Sequence, residues 1–337
     1  DTMMAGIAAF RAKNPPHILQ VFEVGTATMM AAKGAVKPVY EVMAESGLTF
    51  DPDAYLSTVT GYYTTTDGKM LSMPFNSSTP VLYYNKEAFQ RAGLDPTKPP
   101  KTWPEVAEYA KKIVAAYADQ ASKIEPIVEK LEAASDSLEK VGMKDEAAKV
   151  TEISTEIGRN VIRAGFSTAW ISWIHMENFS AWHNVPIGTK ENGFGGLDTE
   201  FIFNSPLHVK HIQHLADWQK EKIFIYGGRR NLGNAKFQTG QVAMYTESSA
   251  GYAGMKANCK FEFGTSFLPY WPDEKGAPQN TIIGGASLWV LQGHSAEEYK
   301  GVAAFFNYIS KAEVQSDWHQ FTGYLPITTA AYEYTKK

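Results

Sequence analysis

The amino-acid sequence predicts an α/β protein of two lobes, and two observations support this. At 337 residues, the chain exceeds the roughly 250 to 300 residues at which a single hydrophobic core stops growing. Along it, strand-like segments alternate with glycines and helical segments, as in residues 17–31, which is the order typical of α/β folds. A content of 44% hydrophobic and 20% charged residues is that of an ordinary globular protein. We therefore expect two lobes, each with a central sheet.

Charge, hydropathy and cysteine content exclude several classes of function. A net charge of −4 and a sequence pI of about 6.1 leave no basic field, so nucleic acid is not expected as a partner. No apolar run in the sequence approaches the roughly 18 residues that span a bilayer, and the first residues lack the features of a signal peptide. The single cysteine, Cys259, excludes an intrachain disulfide and a cysteine-based zinc cluster.

Apolar spacing and breaker residues assign the elements in chain order. A helix is predicted over residues 1–13, where an asparagine and two prolines end it, and a buried strand follows over residues 17–24. After Gly25 the next helix begins. Residues 75–79 form a polar loop between two strand-like runs, and Thr102 is the expected N-cap of a helix that follows a proline-rich connection.

Residues 113–162 differ from the rest of the sequence in the spacing of their apolar residues. Apolar residues step by three and four along two arms that meet at Gly142, which is heptad spacing. We expect an antiparallel helical hairpin inserted in one lobe, with Pro126 opening its first arm. Basic and acidic residues are mixed along both arms, so the outer faces are expected to be solvated. The hairpin is either a simple spacer or an arm that docks to a partner.

The stretch 166–184, FSTAWISWIHMENFSAWHN, holds Trp170, Trp173 and Trp182 among serine, threonine, histidine and asparagine residues. Trp170 and Trp173 are three residues apart, so on a helix they would share one face. Rigid rings interleaved with small polar groups suit a polyol or sugar, whose C–H faces stack and whose hydroxyls hydrogen-bond. Aromatic residues at this spacing are more often part of a core, so the residues alone leave a cleft wall and a core patch open.

Later segments carry further candidates. Residues 247–251 are predicted to be a strand end that feeds a helix N-terminus, where free N–H groups suit an anion. His208, His211 and His214 recur every three residues on a predicted helix, and we expect an exposed face rather than a metal site because this spacing drifts around the helix. His175 is interpreted as part of the ligand wall. The sequence holds none of the nucleophile, phosphate-loop or zinc-protease motifs, so we expect neither an enzyme nor a cofactor or bound metal.

A family resemblance rests on five strings: FEVGTATMM, PFNSSTPVLYYNKEAFQRAGLDP, W-x-x-W-x-x-x-E-N-F, IIGGASLWV and GYLPIT. They resemble the periplasmic glycerol-3-phosphate-binding proteins of bacterial ABC importers, which are UgpB-like members of extracellular solute-binding protein family 1. The similarity covers nearly the whole chain outside residues 113–162. It implies a type II periplasmic-binding fold, whose two lobes close on a ligand at a hinge cleft. It also implies a periplasmic receptor that hands a glycerol phosphate or glycerophosphodiester to a membrane permease, and we expect a monomer.

The resemblance implies seven ligand-binding residues: Glu23, Ser78, Trp170, Trp173, Ser248, Gly285 and Tyr324. Glu23 would receive glycerol hydroxyls, the two tryptophans would form an aromatic wall, and Ser248 would donate to the phosphate. Structural alternatives stay open for three of them: a helix cap for Glu23, a turn former for Ser78 and a core residue for Tyr324. The family also has a tyrosine-bearing strand ahead of Asp1 and a phosphate-binding arginine beyond Lys337, so we expect the printed sequence to be trimmed.

The same comparison predicts how the chain is divided. Lobe 1 is expected to contain residues 1–78, with 270–310 returning to it. Lobe 2 is expected to contain 79–112 and 163–269, with 311–337 packing near the hinge, and 113–162 is the inserted hairpin. Two other functions remain as alternatives: a receptor for another polyol or a maltose-type sugar, and a ligand-sensing adaptor that presents the hairpin to a partner.

Overall fold

The chain folds into two units, each with its own sheet and hydrophobic core. The computed structural model describes residues 2–32, 34–65, 67–193, 195–196 and 198–336. Unit 1 comprises Asp1–Thr79, Ser249–Ala253 and Ile283–Lys337, and unit 2 comprises Pro80–Ser248 and Gly254–Ile282. The predicted α/β class with two sheet-containing lobes is confirmed.

The secondary structure follows in chain order. The strands are β1 (Ile18–Phe22), β2 (Val36–Lys37), β3 (Met73–Ser78), β4 (Pro80–Asn85), β5 (Ala164–Thr168), β6 (Phe224–Tyr226), β7 (Val242–Ser248), β8 (Phe263–Ser266) and β9 (Gly284–Leu291). The helices are α1 (Thr2–Arg11), α2 (Thr26–Ala31), α3 (Val39–Glu45), α4 (Ser57–Tyr63), α5 (Lys86–Arg91), α6 (Trp103–Lys140), α7 (Lys144–Ile157), α8 (Phe179–Trp182), α9 (Thr189–Asn192), α10 (Pro206–Lys220), α11 (Asn234–Gln238), α12 (Tyr252–Asn258), α13 (Ala296–Ile309), α14 (Ala312–Thr322) and α15 (Thr329–Thr335). Short 3₁₀ turns span Glu23–Gly25, Pro52–Ala54 and Ser249–Gly251, and a π-helix spans Trp173–Asn178.

The sheet of unit 1 is built around β9, whose eight residues are all buried. Strand β1 pairs with one edge of β9, and β2 and β3 pair with it as well, all antiparallel. The residues from Leu288 to Leu291 form the continuous apolar part of this buried strand. Helices α3, α4 and α13 pack their buried apolar side chains against this sheet, with Val42, Val59 and Phe306 at its centre.

The sheet of unit 2 has the order β6-β5-β7-β4-β8. Strands β6, β5 and β7 are parallel, while β4 is antiparallel to both β7 and β8. Its main core packs α6 and α10 on the sheet through Trp103, Phe166 and Trp218, which are 2%, 1% and 6% exposed. The carboxyl ends of the three parallel strands therefore lie at one edge, where ligands bind in open α/β sheets.

Helix α6 begins as predicted at Thr102, whose hydroxyl accepts from Glu105 N at 3.3 Å while Glu105 Oε2 accepts from Thr102 N at 3.0 Å. This reciprocal cap satisfies two donors of the first turn. The helix then continues for 38 residues to Lys140. Pro126, expected to open the first arm of the hairpin, lies inside this helix instead. The missing proline N–H costs one backbone hydrogen bond, and the helix nevertheless continues through this position.

The predicted helical hairpin is present as the distal part of α6 and all of α7. Gly142 between the arms has a φ of +86°, a conformation that glycine adopts without strain. Between the arms, the buried Ser135 hydroxyl donates to Ala147 O at 2.9 Å and lies 2.8 Å from Thr151 Oγ1. At the base, Arg163 forms an ion pair with Glu132 at 3.0 Å. These contacts hold the arms antiparallel.

The structure divides the chain differently from the prediction at four places. Thr79 and Ser249–Ala253, expected in lobe 2, belong to unit 1. Residues 270–282, expected in lobe 1, belong to unit 2, because Tyr270 bridges Thr102 and Trp271 is 4% exposed in that core. Residues 311–337, expected near the hinge, belong to unit 1, where Ile327 O accepts from Leu56 N at 3.0 Å. The partners of the last two segments are distant in sequence, so no local pattern marked them. Within the described ranges, none of the helices combines the length and apolar character needed to cross a membrane.

Candidate functional site

The carboxyl-terminal edge of the unit 2 sheet collects several of the predicted residues. Strand β5 ends at Thr168, opposite Thr246 of β7 and Tyr226 of β6. Trp170 follows two residues later, and β7 runs on to Ser248. Trp170 and Ser248 are therefore brought to the same edge of one sheet, which is what their predicted roles require.

Trp170 is held in a rare backbone conformation. Its φ is +41°, and a positive φ is unusual for a bulky residue. Its N–H donates to Arg230 O at 2.8 Å, and its carbonyl accepts from Ile174 N at 2.9 Å. Its indole Nε1 donates to Glu247 Oε1 at 2.6 Å. Three hydrogen bonds thus fix both the backbone and the ring of a half-buried tryptophan, and strain that is held in this way clusters at functional sites.

Glu247 is the partner that sequence reasoning missed. Its side chain is 2% exposed, and besides Trp170 Nε1 its Oε1 accepts from Ser248 N at 2.6 Å. The amide of Asn234, turned so that its nitrogen faces Glu247, donates to Oε2 at 2.6 Å. Burial raises the pKa of Glu247 to about 7, although these donors act in the opposite direction. The only signal in the sequence was its position, directly before Ser248 at the end of an apolar strand.

The expected anion-binding N–H groups at residues 247–251 are not free. Ser248 N donates to Glu247 Oε1, as described, and Ser249 N donates to Thr79 O at 2.8 Å. The prediction of open donors there was wrong because the strand end closes on its own glutamate side chain. Ser248 O accepts from the Tyr83 hydroxyl at 3.0 Å.

Trp173 occupies a different environment from Trp170. It opens the π-helix, is 9% exposed and packs with Ile174 and Leu268, against which Trp170 and Trp182 also lie. A π-helix is rare and is frequently found at functional sites. The two tryptophans do belong to one aromatic cluster, as predicted, but they do so across a bend and a π-turn rather than along one face of an α-helix. Trp173 offers little surface, and its main contact is with the cluster behind Trp170.

Histidines form a buried polar chain behind this edge. Trp271 Nε1, which can only donate, donates to His211 Nδ1 at 3.2 Å. His211 therefore carries its proton on Nε2 and donates to His175 Nδ1 at 2.8 Å. His175 in turn donates from Nε2 to Thr168 Oγ1 at 2.9 Å, and Thr168 donates to Ala169 O at 2.8 Å. The chain ends one residue before Trp170.

These contacts correct two expectations about histidine. His208 and His211, predicted to be exposed, are 2% and 0% exposed, and His175, interpreted as ligand wall, is 0% exposed. Burial lowers the pKa of His175 to about 3, and burial followed by neighbouring histidines lowers that of His211 well below its usual value. Both rings are neutral in the folded chain, and their role is to fix strand β5 against α10.

In unit 1, strand register brings two predicted residues to one end of the sheet. Strand β1 ends at Phe22, opposite Ala286 of β9, and Glu23 follows in a 3₁₀ turn. Strand β3 ends at Ser78, opposite Gly284. Glu23 is half-buried and Ser78 is 4% exposed. A carboxylate and a hydroxyl thus flank the first residues of β9.

Gly285 lies between them, and the backbone explains why it is glycine. Its φ is +113°, and a Cβ built there would lie 2.2 Å from Asn76 O. No L side chain fits at that distance. Gly285 can therefore contact a ligand only through its backbone atoms. The close approach of β3 by itself requires a glycine at this position.

Tyr324 completes the unit 1 group. Leu325 N donates to Ser77 O at 2.6 Å, which places Tyr324 beside the end of β3. Burial and then the charge of Glu23 raise the pKa of Tyr324. The same two causes, in the same order, raise the pKa of the 1% exposed Tyr63. Tyr63, at the end of α4, is thus a neighbour of Glu23 that the sequence pattern did not single out.

Two α/β units whose aromatic, carboxylate and hydroxyl groups gather at strand ends have the architecture of a receptor for small polar solutes. The chain belongs to the bacterial extracellular solute-binding proteins, since the model of that family matches residues 4–337. It is 49% identical over 338 aligned residues to the sn-glycerol-3-phosphate-binding periplasmic protein UgpB of Pectobacterium atrosepticum, covering 100% of this chain and 66% of that protein. It is 48% identical to UgpB of Salmonella typhimurium, covering 100% of this chain and 67% of that protein. The chain spans about two thirds of the length of these curated relatives.

Solved structures share the fold. UgpB of Mycobacterium tuberculosis in complex with glycerophosphocholine matches with a TM-score of 0.70 at 20% identity, covering 98% of this chain and 72% of that one. Maltose-bound MalE3 of T. maritima matches with a TM-score of 0.69 at 17% identity, covering 99% and 72%. The predicted type II periplasmic-binding fold is thereby confirmed.

Proposed function

We propose that this chain is the solute receptor of a bacterial ABC importer, which captures sn-glycerol 3-phosphate or a glycerophosphodiester in the periplasm and delivers it to a membrane permease. The observation that supports this proposal most is the 49% identity along the whole chain to the sn-glycerol-3-phosphate-binding periplasmic protein UgpB of Pectobacterium atrosepticum. On this proposal the protein binds its solute and does not transform it.

In unit 2, Trp170 contacts the solute with the face of its ring. Its indole N–H is already donated to Glu247, so the group left for a ligand is the aromatic surface. The C–H groups of a glycerol backbone are apolar on one side and suit such a surface. Trp173 supports Trp170 within the same cluster. Ser248 donates its hydroxyl to a phosphate oxygen, as hydroxyl groups can in anion sites.

In unit 1, Glu23 accepts hydrogen bonds from the glycerol hydroxyls, because an ionised carboxylate is an acceptor of two or more donors. Ser78 and the phenol of Tyr324 add hydroxyl groups beside it, and Gly285 offers backbone atoms. A permease would recognise the solute-bound state through its differential affinity for that state.

The test is a parallel calorimetric titration of the full-length protein with sn-glycerol 3-phosphate, glycerophosphocholine and maltose. We expect saturable binding of the two phosphate compounds and none of maltose. Binding of maltose alone would assign the chain to the alternative class of sugar receptors. Binding of none of the three would contradict the proposed solute class and favour the adaptor function, in which the helical hairpin rather than the solute is central.

A further inference from the structure

Unit 1 holds a cluster of metal-ligating side chains at the end of its sheet away from Glu23. His17 directly precedes β1, His294 lies in the turn between β9 and α13, and Glu298 lies in the first turn of α13. Strand β1 separates His17 from Glu23 by five residues, or roughly 17 Å at about 3.3 Å per residue. The cluster is therefore distinct from the residues proposed to bind the solute.

The three ligand atoms already lie close together. Glu298 Oε1 is 3.0 Å from His17 Nε2 and 4.0 Å from His294 Nδ1, and all three atoms lie within 4.8 Å of one another. The two imidazole rings are stacked, with centroids 3.8 Å apart and planes inclined by 21°. Bonds of about 2.0 to 2.1 Å in a tetrahedral zinc site put ligand atoms about 3.3 to 3.4 Å apart. The His17 side chain is 46% exposed and has room to turn out of the stack, so that the in-plane lone pairs of both rings can meet at one ion.

Each ligand is fixed by further contacts. Glu298 Oε2 accepts from Ser295 N at 2.7 Å and from Ser295 Oγ at 2.6 Å, which leaves Oε1 directed at the histidines. His294 N donates to the Tyr299 hydroxyl at 3.2 Å. His17 O accepts from Leu291 N at 3.1 Å. The contacts from Ser295 orient the Glu298 carboxylate, as outer contacts do in metal sites, while the two backbone contacts fix the positions from which the histidine side chains extend.

Charge and access also suit a cation. Glu298 Oε1, a carboxylate oxygen of the kind that Zn²⁺ accepts, lies within 4.0 Å of a nitrogen of each imidazole. Among the described residues, the buried Nε2 of His294 meets no hydrogen-bond partner, and Nδ1 is the nitrogen that faces Glu298. The His17 and Glu298 side chains are 46% and 47% exposed, which gives an ion access and leaves room for water in a fourth position.

We propose that His17, His294 and Glu298 form a site for a divalent first-row transition ion, with Zn²⁺ as the best-fitting probe. Two imidazole nitrogens and one carboxylate oxygen are the ligand set that Zn²⁺ accepts and that Ca²⁺ and Mg²⁺ do not prefer. The ion links the start of β1 to the start of α13. The dipole at the N-terminus of α13 opposes a cation, so the expected dissociation constant is micromolar rather than nanomolar.

The experiment is a calorimetric titration of the full-length protein with ZnCl₂ in a buffer that does not chelate the ion. Wild-type protein is expected to bind one Zn²⁺ at this site, and His17→Gln and Glu298→Gln are each expected to weaken it at least about tenfold. Glutamine at residue 298 keeps the capping box, since Gln serves there as well as Glu, so this variant retains the helix start. His214→Gln, which alters a half-buried histidine of unit 2, is the matched control and should bind as the wild type does.

Two results would overturn the proposal. One is the lack of Zn²⁺ binding by the wild type up to about 1 mM, a concentration far above the micromolar range that we expect. The other is equal Zn²⁺ affinity in wild type, His17→Gln and Glu298→Gln, which would place any bound ion elsewhere. A titration with MgCl₂ should give no binding to this site, and competition of Mg²⁺ with Zn²⁺ would contradict the assignment to a transition ion.

Discussion

Replacing Glu247 by glutamine should change how stability depends on pH. Burial raises the pKa of this carboxyl from 4.5 to about 7. Because the raised pKa belongs to the folded state, its stabilising contribution is fully present below pH 4.5 and is lost as the pH rises through about 7. The difference in pKa corresponds to a total of about 3.4 kcal/mol, at about 1.36 kcal/mol per pH unit. Between pH 5 and pH 8 the free energy of unfolding of the wild type should fall by about 2.5 kcal/mol through the ionisation of this carboxyl.

Glutamine removes this loss while keeping the hydrogen bonds. Its amide oxygen can accept from Trp170 Nε1 and Ser248 N as Glu247 Oε1 does. Its amide nitrogen can donate to Asn234 once that amide turns its oxygen inward, an orientation in which Asn234 also accepts from the Tyr245 hydroxyl at 2.9 Å. The variant should therefore fold, and its stability relative to the wild type should rise by about 2.5 kcal/mol from pH 5 to pH 8.

The assay is urea unfolding followed by circular dichroism at pH 5, 6, 7 and 8. The buried histidines titrate equally in both proteins, so they cancel in the difference. Glu200→Gln, a change at an exposed glutamate of the same unit, is the control and should differ from the wild type by a constant amount. If the Glu247→Gln difference is also constant across this range, the carboxyl does not ionise near neutral pH and the reasoning fails.

Three further predictions concern the solute site, the sheet of unit 1 and the hairpin. Trp170→Ala should weaken glycerol phosphate binding by more than about 1 kcal/mol in calorimetry, and Trp170→Phe should recover part of it; equal affinity in a folded Ala variant would exclude stacking. Gly285→Ala should destabilise unit 1 by about 2 kcal/mol or more, because its Cβ would lie 2.2 Å from Asn76 O. The control Gly301→Ala, at an open helical position, should stabilise the protein by about 1 kcal/mol. The measurement is urea unfolding, and changes of the same sign in the free energy of unfolding of the two variants would contradict this prediction. Residues 129–157 can be excised by joining Val128 to Gly158, which lie side by side. If the hairpin is a spacer, the solute affinity of this variant should stay within about twofold of the wild-type value. A larger loss of affinity would show that the hairpin takes part in binding.

Strand and helix periodicities predicted the sheets, the cap at Thr102 and the hairpin, because each depends on residues that are neighbours in sequence. Pro126 shows where the local rule fails. A proline normally marks a helix boundary, yet here the helix continues through it. The segments 270–282 and 311–337 were misplaced for another reason, since their partners in the core lie far along the chain.

The sequence suggested candidate site residues, but the contacts of these residues could not be predicted from it. The resemblance pointed to Trp170 and Ser248, but the bond from Trp170 to Glu247 joins residues 77 apart, and only the parallel register of β5 and β7 brings them together. His17 and Glu298 are 281 residues apart, so no spacing rule could have paired them. Buried histidines were misjudged because the helical spacing of His208 and His211 does not reveal which face is covered.

The hydrogen bonds that run from Trp271 through His211 and His175 to Thr168 all donate in one direction. Because the indole can only donate and the backbone carbonyl at Ala169 can only accept, each histidine has one allowed tautomer, and reversing any link would oppose two protons or two lone pairs. The tautomers of the two rings are thus fixed from both ends, by the indole of Trp271 and by Thr168, which accepts from Thr246 Oγ1 and donates to Ala169 O. Replacing Trp271 by phenylalanine would leave His211 Nδ1 without its donor, while the Thr168 end, two residues before Trp170, would still direct the hydrogen bonds.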